Sequence, residues 1–460
     1  MKKAKMTAAV LAAVFAFAAA PVLDAEVAGK DGVAGLNGIS GISLSRPVYA
    51  QAQTEAIDYD PSLWLMPLTT HTRYFVDGDE KGILLRSHWT GIGTYNKDYE
   101  GPKPPMRIMG NALDNYSLNE SQSFDKSRGK LISDAKNDRD QRLANGATFF
   151  GPYQEDGDIF VRRADFRVVS FLEDGYSYLG GAHGLGGVVG RNFDVYTGKE
   201  LKLTDVVTDK AWLAEAIKRQ LMLDYPNSSF AQSGGASMRE TVDQMVAKDQ
   251  LLWSLDPRGI SFYFNPYLLG SYAEGLFTTT IFFSERPELF VKNEYSDVIE
   301  WRGPQNYCME LRPYMSVRLS DSPRDERIHI DNDNTGIMIE YCGEKMRDVI
   351  EVKEIRPVFV HCYDGREYLY VDYAKMGNDF RLRVYDLNGE KPKFVGEFPM
   401  TRLASSPKDK ENRNWYIMSD TNDFFMTATE DTEFIPGKRL RCRVGQDGRP
   451  EVFDVEGAVG

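Results

Sequence analysis

Hydrophobic and polar positions alternate along much of the chain, and this period of two predicts short β-strands joined by turns. Residues 72–76 and 83–89 form two such runs on either side of a turn at Asp77, Gly78 and Asp79. Further strands are predicted where β-branched and aromatic residues gather, at residues 159–161, 166–172, 260–264 and 276–283.

Helical patterns interrupt the strands at three places. Residues 111–143 are polar and compatible with a helix, although their apolar period is weak. Ser237 and Glu240 have the spacing of a capping box, which predicts the start of another helix. A third helix, ending near Pro226, is predicted by apolar residues spaced four apart: Leu213, Ile217 and Leu221.

The last third of the chain has the pattern of successive β-hairpins. Residues 327–342, 357–374 and 380–398 each contain two alternating runs around a turn. Asp-Gly and Asn-Gly pairs supply the positive φ that tight hairpins need. The predicted fold class is therefore α+β: a mixed sheet with two helices, followed by a mainly antiparallel β C-terminal domain over residues 305–460.

The N-terminus has the pattern of an export signal. Lysines at positions 2, 3 and 5 precede an apolar run over residues 8–23, which is shorter than the ~20 residues that span a bilayer. We expect a signal peptide at residues 1–25 with several possible cleavage points, then a flexible leader or linker over residues 26–62. The mature chain is expected to be extracellular, periplasmic or cell-wall associated, without a membrane span.

Composition narrows the classes of partner. The formal net charge is −13, and no basic stripe stands out, so we expect no nucleic-acid partner. An acidic surface can instead attract a basic protein over long range. In an exported chain four cysteines allow up to two disulfides, with the pairing open and buried free thiols as the alternative: Cys308, Cys342, Cys362 and Cys442.

Motifs for metal or phosphate chemistry are incomplete. His183 lies in the glycine-rich stretch "YSYLGGAHGLGG", but none of the chain's five histidines has HxH or HExxH spacing, and the glycines match no phosphate-binding loop. Ser123 and Lys126 match S-x-x-K without its companion motifs, and "DNDNTG" at residues 331–336 is better explained as a hairpin turn than as a calcium loop. We predict no catalytic residue, metal or cofactor.

Several motifs in a fixed order carry a resemblance to a known family. "YLGGAHG" is followed by "NFDVYTGKELKLTDV", two helices and "GISFYFNPYLLGSYAEG". In this order they resemble the bacterial extracellular domain of the RsiV/PdaC type, domain-of-unknown-function family 3298. The resemblance implies an α+β unit over residues 63–300, with a companion N-terminal half at 63–164 and a C-terminal half at 165–300.

The same resemblance implies a secreted, non-enzymatic binding protein of the cell envelope, whose partner is a lysozyme-like protein or peptidoglycan. The residues expected to contact a ligand are aromatic, because such side chains give a large contact area at low entropic cost: Tyr178, His183, Tyr267 and Tyr272. For each of them, ordinary structural packing is the alternative. For the whole chain, the alternatives are a wall-acting enzyme with an uncharacterised active site and a structural surface-interaction module.

Overall fold

The computed structural model describes residues 65–95, 104–291, 295–296, 306–321, 326–375, 379–404, 412–435 and 437–456. The predicted signal peptide and the leader lie outside these ranges. All described residues belong to one compact unit, residues 61–460. Within them, no helix is both long enough and apolar enough to cross a membrane.

A seven-stranded mixed sheet organises the N-terminal part of this unit. Its order is β19-β20-β1-β2-β3-β4-β5, and every neighbouring pair is antiparallel except β2 and β3. The strands are β1 (Leu68–Asp79), β2 (Gly82–Thr94), β3 (Tyr153–Ala164), β4 (Val168–Tyr178), β5 (Leu185–Asp194), β19 (Leu403–Ala404) and β20 (Asn412–Tyr416).

A long helix, α1 (Pro104–Ala144), connects the two parallel strands. Parallel neighbours require such a crossover, because a tight turn can join only antiparallel strands. The helix meets the sheet through a few fully buried side chains, which are Met109, Leu113, Phe124 and Ala135. Two ion pairs bind it to the end of β1: Arg128 contacts Asp77 at 2.6 Å and Arg139 contacts Asp79 at 2.7 Å.

Short helices and a three-stranded antiparallel sheet follow. The helices are α2 (Leu203–Val206), α3 (Lys210–Asp224), α4 (Ser229–Gln232) and α5 (Ala236–Ala247), and the strands are β6 (Leu252–Leu255), β7 (Gly259–Phe264) and β8 (Phe277–Phe282). Single 3-10 turns occupy Tyr272–Glu274 and Pro287–Leu289. Helix α3 ends before Pro226 as predicted. The predicted capping box at Ser237 is wrong, because Gly235 caps α5 in a left-handed conformation and places Ser237 inside the helix.

Three antiparallel sheets make up most of the C-terminal part. Their orders are β10-β11-β12-β13, β17-β16-β15-β14-β9 and β18-β21-β22-β23. The strands are β9 (Tyr307–Glu310), β10 (Ser316–Arg318), β11 (Arg327–Asp333), β12 (Gly336–Tyr341), β13 (Glu344–Val349), β14 (Glu354–His361), β15 (Glu367–Ala374), β16 (Phe380–Asp386), β17 (Lys393–Phe398), β18 (Met400–Thr401), β21 (Phe424–Ala428), β22 (Arg439–Val444) and β23 (Pro450–Glu456). The three predicted hairpins and the α+β class are confirmed.

Strands from the two ends of the chain share the large sheet. β20 pairs antiparallel with β1, so that Thr70 lies opposite Trp415. One hydrophobic cluster also combines Phe160 and Leu172 from this sheet with Phe359 and Val371 from the C-terminal part. The proposed domain boundary near residue 305 stays a prediction, and side chains from both sides of it pack together.

Candidate functional site

The glycine-rich stretch forms the loop between β4 and β5, and it places His183 at the surface. Nδ1 of His183 donates its hydrogen to the backbone carbonyl of Gly184, at a distance of 2.8 Å. In the neutral ring the lone pair is then on Nε2, because a carbonyl can only accept. The loop therefore fixes both the position and the tautomer of the imidazole.

Two tyrosines from the loop between β7 and β8 meet this imidazole. The ring of Tyr272 stacks on His183 with centroids 4.0 Å apart and an interplanar angle of 22°. The hydroxyl of Tyr267 donates to Nε2 of His183 at 3.4 Å, and the Tyr267 and Tyr272 rings lie 5.8 Å apart. Three of the four predicted ligand-binding residues thus touch one another, although up to 89 positions separate them along the chain.

Tyr176 on β4 adds a fourth ring to the group. It faces the glycine loop so closely that any side chain at Gly184 would collide with its hydroxyl. Tyr176 and Tyr267 are 36% and 52% exposed, so the group presents ring surface to solvent. We call Tyr176, His183, Tyr267 and Tyr272 the aromatic cluster. Tyr178, the remaining predicted residue, is half-buried two positions beyond Tyr176 on the same face of β4.

Asn265 positions Tyr267 by binding the edge of the large sheet. Its side-chain amide accepts from the N–H of Val188 at 2.9 Å and donates to the carbonyl of Val188 at 3.1 Å. Gly187 leaves room for this amide, since a β-carbon there would come within 2.9 Å of it. Tyr267 follows with a φ of 73°, a left-handed conformation that is strained for a residue with a side chain.

Glu274 positions Tyr272 in a similar way. Its carboxylate accepts from the backbone N–H of Ser229 at 2.8 Å and from that of Ser271 at 2.9 Å. These bonds, the one from Ser229 first, lower the pKa of Glu274 to about 2, so the group is ionised at neutral pH. The carboxylate therefore joins the 3-10 turn that carries Tyr272 to the start of α4.

A histidine between two carboxylates lies beside the aromatic cluster. Nδ1 of His88 contacts Asp156 at 2.9 Å, and Nε2 contacts Asp158 at 3.0 Å. Burial alone would lower the pKa of His88, but the two carboxylates outweigh it and hold the pKa well above its ordinary value. Burial would likewise raise the pKa of Asp158, yet the charge of His88 brings it down to about 2.

The strand register shows how the two groups are related. Tyr74, His88, Asp156 and Tyr176 lie directly opposite one another on four successive strands, β1 to β4. Directly opposed residues share one face of a sheet. The histidine group and the aromatic cluster therefore form one continuous row, which ends at the glycine loop.

Sequence reasoning missed His88, Asp156 and Asp158. The spacing of the two aspartates was a usable signal, because residues two apart on a strand face the same side. The partner was not readable from the sequence, since His88 and Asp156 become neighbours through a parallel pairing that spans α1.

The chemistry of the row favours recognition over proton transfer. Both ring nitrogens of His88 are bonded to carboxylates, which leaves no lone pair to take a proton and no free ligand atom. Among the described residues, no three His, Cys, Asp or Glu side chains are arranged to hold a metal ion. The aromatic cluster, in contrast, offers exposed rings held in fixed positions.

The cysteines lie far from this row along the chain. Cys308, Cys362 and Cys442 are buried in one apolar cluster of the C-terminal part, whereas Cys342 packs against a different one. None of the four forms a disulfide in the structure. Burial raises the pKa of Cys362 to about 11 and that of Cys442 to about 12, which keeps both thiols protonated. The disulfide pairing stays a prediction.

Comparison with known proteins identifies part of the chain. Residues 204–284 match the family described as "Protein of unknown function (DUF3298)". A crystal structure of a family member from Bacteroides fragilis NCTC 9343 is similar at 17% identity with a TM-score of 0.36, covering 51% of this chain and 98% of that one. A family member from Pseudomonas aeruginosa PAO1 is similar at 14% identity with a TM-score of 0.32, covering 48% of this chain and 94% of that one.

A search of curated proteins gives no match. The predicted resemblance to family 3298 is confirmed over residues 204–284. The narrower likeness to the RsiV/PdaC type and the companion N-terminal half at residues 63–164 stay predictions.

Proposed function

We propose, from the premise that residues 204–284 form a DUF3298 domain, that this protein is an exported, non-enzymatic binding protein of the cell envelope. Its recognition surface is the aromatic cluster, and its partner is a lysozyme-like protein or peptidoglycan. The N-terminal pattern of lysines and apolar residues supports export.

The observation that carries this proposal is the exposure of rings whose positions are fixed. Tyr267 is 52% exposed, yet strained backbone and the Asn265 amide hold it in place. Rigid tyrosines lose little conformational entropy on binding, which is why they dominate recognition surfaces. The contacts of Tyr267 with His183 and Tyr272 fix its ring but leave half of it exposed, which suits a binding role.

A wall-acting enzyme is the alternative, and the His88 group is the feature that would favour it. The carboxylates that occupy both nitrogens argue against acid–base catalysis at that residue. Hydrolysis of peptidoglycan that is lost in a His88→Gln variant, with the fold retained, would support the enzyme instead.

The test is direct association of the mature chain with a panel of lysozymes and with purified peptidoglycan at low salt. Tyr267→Ala and Tyr272→Ala should each weaken the observed association by about tenfold or more, the usual effect of losing an aromatic anchor. Tyr196→Ala is the matched control, because Tyr196 is also an exposed turn tyrosine and lies outside the cluster. Absence of association with every candidate would contradict the proposal, and equal binding by all three variants would contradict the assigned surface.

A further inference from the structure

We propose that the aromatic cluster binds the cationic side chain of a lysine or arginine on a basic partner protein. This inference rests on the proposed function and specifies the chemistry that the same surface selects. It follows from two features of the described residues, the faces of the rings and the charges around them.

The rings provide the electron-rich faces that attract a cation. A tyrosine face carries negative electrostatic potential, and an ammonium or guanidinium group within about 6 Å of the ring centre is stabilised by it. The Tyr267 and Tyr272 rings lie 5.8 Å apart, Tyr272 stacks on His183, and the Tyr176 hydroxyl lies beside Gly184 of the same loop. The faces that are not used in the His183–Tyr272 stack can contact one charged head.

The two segments that supply the rings contribute no positive charge of their own. Residues 173–190 and 259–284, which supply all four rings, contain no lysine and no arginine. The same two segments contain three acidic residues, Glu173, Asp174 and Glu274, of which Glu173 is paired with Arg191 at 3.1 Å. Glu274 lies two residues from Tyr272, and its serine partners are neutral, so they leave its charge uncompensated.

The other charged groups near the cluster are already paired. Asp156, opposite Tyr176 on β3, and Asp158 both contact His88. Because one imidazolium faces two carboxylates, this group carries a net negative charge. Asp174 is paired with Arg312 at 2.8 Å. Together with the net charge of −13, Glu274 and the His88 group attract basic proteins and repel phosphate and carboxylate ligands.

The test compares two probes that differ in one charge. We would label the histidines with ¹³C at Cε1, which gives one signal for each of the five histidines, and identify the His183 signal with a His183→Asn variant. Titration with N-acetyl-lysine methylamide should shift the His183 signal. The neutral Nε-acetylated form of the same compound should shift it at least about tenfold less at equal concentration, because cation–π attraction needs the charge.

Two variants of one ring complete the test. Tyr272→Ala should abolish the lysine-dependent shift, whereas Tyr272→Phe should keep affinity within about twofold, because the attraction uses the ring face and not the hydroxyl. Equal shifts with the charged and neutral probes, or no shift with either one, would overturn the inference.

These outcomes are separate from those of the proposed function. If Tyr267→Ala weakens binding of a partner but the lysine probe does not bind, the aromatic cluster is the recognition surface and the inference that it selects a cation is wrong. If the lysine probe binds and no envelope partner is captured, the cation site stands and the proposed function fails.

Discussion

His88 shows how two neighbours can reverse the effect of burial on a single residue. Its side chain is only 18% exposed, which by itself favours the neutral imidazole. Carboxylates on both nitrogens favour the charged form instead and raise its pKa. Because the pKa is raised in the folded state, His88 contributes its full stabilisation below its unfolded pKa of about 6.5 and loses it as the pH rises through the folded value.

Replacing His88 by glutamine should lower the free energy of unfolding by about 3 kcal/mol at pH 6, because Asp156 and Asp158 then lose the positive charge between them. The difference from the unchanged chain should shrink as the pH rises through the folded pKa of His88. Urea unfolding at several pH values measures both effects.

The matched control is His329→Gln, since His329 has a single aspartate neighbour at 3.3 Å and is one-third exposed. The His329→Gln substitution should lower the free energy of unfolding by no more than about 0.5 kcal/mol. A His88→Gln loss that is the same at every pH would mean that the residue acts through packing and not through charge.

At the scale of elements, Asn265 acts as a substitute for a strand partner. Its amide pairs with both backbone groups of Val188, as a neighbouring strand would, and so holds the β7–β8 loop against β5. Asn265→Ala should cost about 2 kcal/mol of unfolding free energy, because the buried N–H and carbonyl of Val188 lose their partners.

The same variant should also weaken partner binding, because Tyr267 is released from His183. Asn265→Asp keeps an acceptor for the Val188 N–H but places a buried carboxylate against the Val188 carbonyl, so its loss of stability should be at least as large as that of the alanine variant. Unchanged binding by the alanine variant would show that Tyr267 does not depend on this contact.

The helix α1 could be predicted from the sequence pattern only in part. Its polar composition was compatible with a helix, but its length and its packing face were not readable from residues 111–143. Few of its side chains are buried, and ion pairs such as Arg128–Asp77 supply specific contacts whose partners are distant in sequence. Hairpins were predictable because their turns are local, whereas the parallel β2–β3 pairing and the His88 group depend on tertiary contacts.

A substitution at Phe124 tests whether apolar packing attaches α1 to the sheet. It is 1% exposed and packs on Phe75 of β1 with ring centroids 5.9 Å apart. Phe124→Ala should cost about 3–5 kcal/mol through the cavity that it leaves. Leu118→Ala, on the same helix at an exposed position, should change the free energy of unfolding by no more than about 0.5 kcal/mol. Because alanine favours helices, similar losses for both variants would contradict the assignment of Phe124 as the packing contact.

At the scale of the whole molecule, a buried network of charges connects the sheets. Glu310 on β9 accepts from the backbone N–H of Val161 on β3 at 2.8 Å, from Arg356 at 3.1 Å and from Arg402 at 3.3 Å. Arg162, the residue after Val161, forms an ion pair with Asp256 of the β6–β7 turn at 2.6 Å. The network therefore joins both sides of the predicted boundary near residue 305.

The carboxylate of Glu310 is 1% exposed, and burial alone would raise its pKa. The adjacent arginines outweigh burial and lower it, so the carboxylate stabilises the fold at neutral pH and its contribution is lost as the pH falls through the folded pKa. Since removal of one partner leaves buried charges uncompensated, this position is more sensitive than any surface ion pair.

Glu310→Gln should therefore lower the free energy of unfolding by about 3 kcal/mol at pH 7. The loss of stability should affect the strands on both sides of residue 305. We would follow hydrogen exchange by mass spectrometry in peptides from β3 and β15, which lie on opposite sides of the predicted boundary. If the unit unfolds cooperatively, the slowest-exchanging amides of both peptides should lose the same protection. Glu451→Ala, which removes the exposed ion pair with Arg443, should leave both peptides unchanged. A loss confined to β15 would instead show that residues 63–300 unfold independently of the C-terminal sheets.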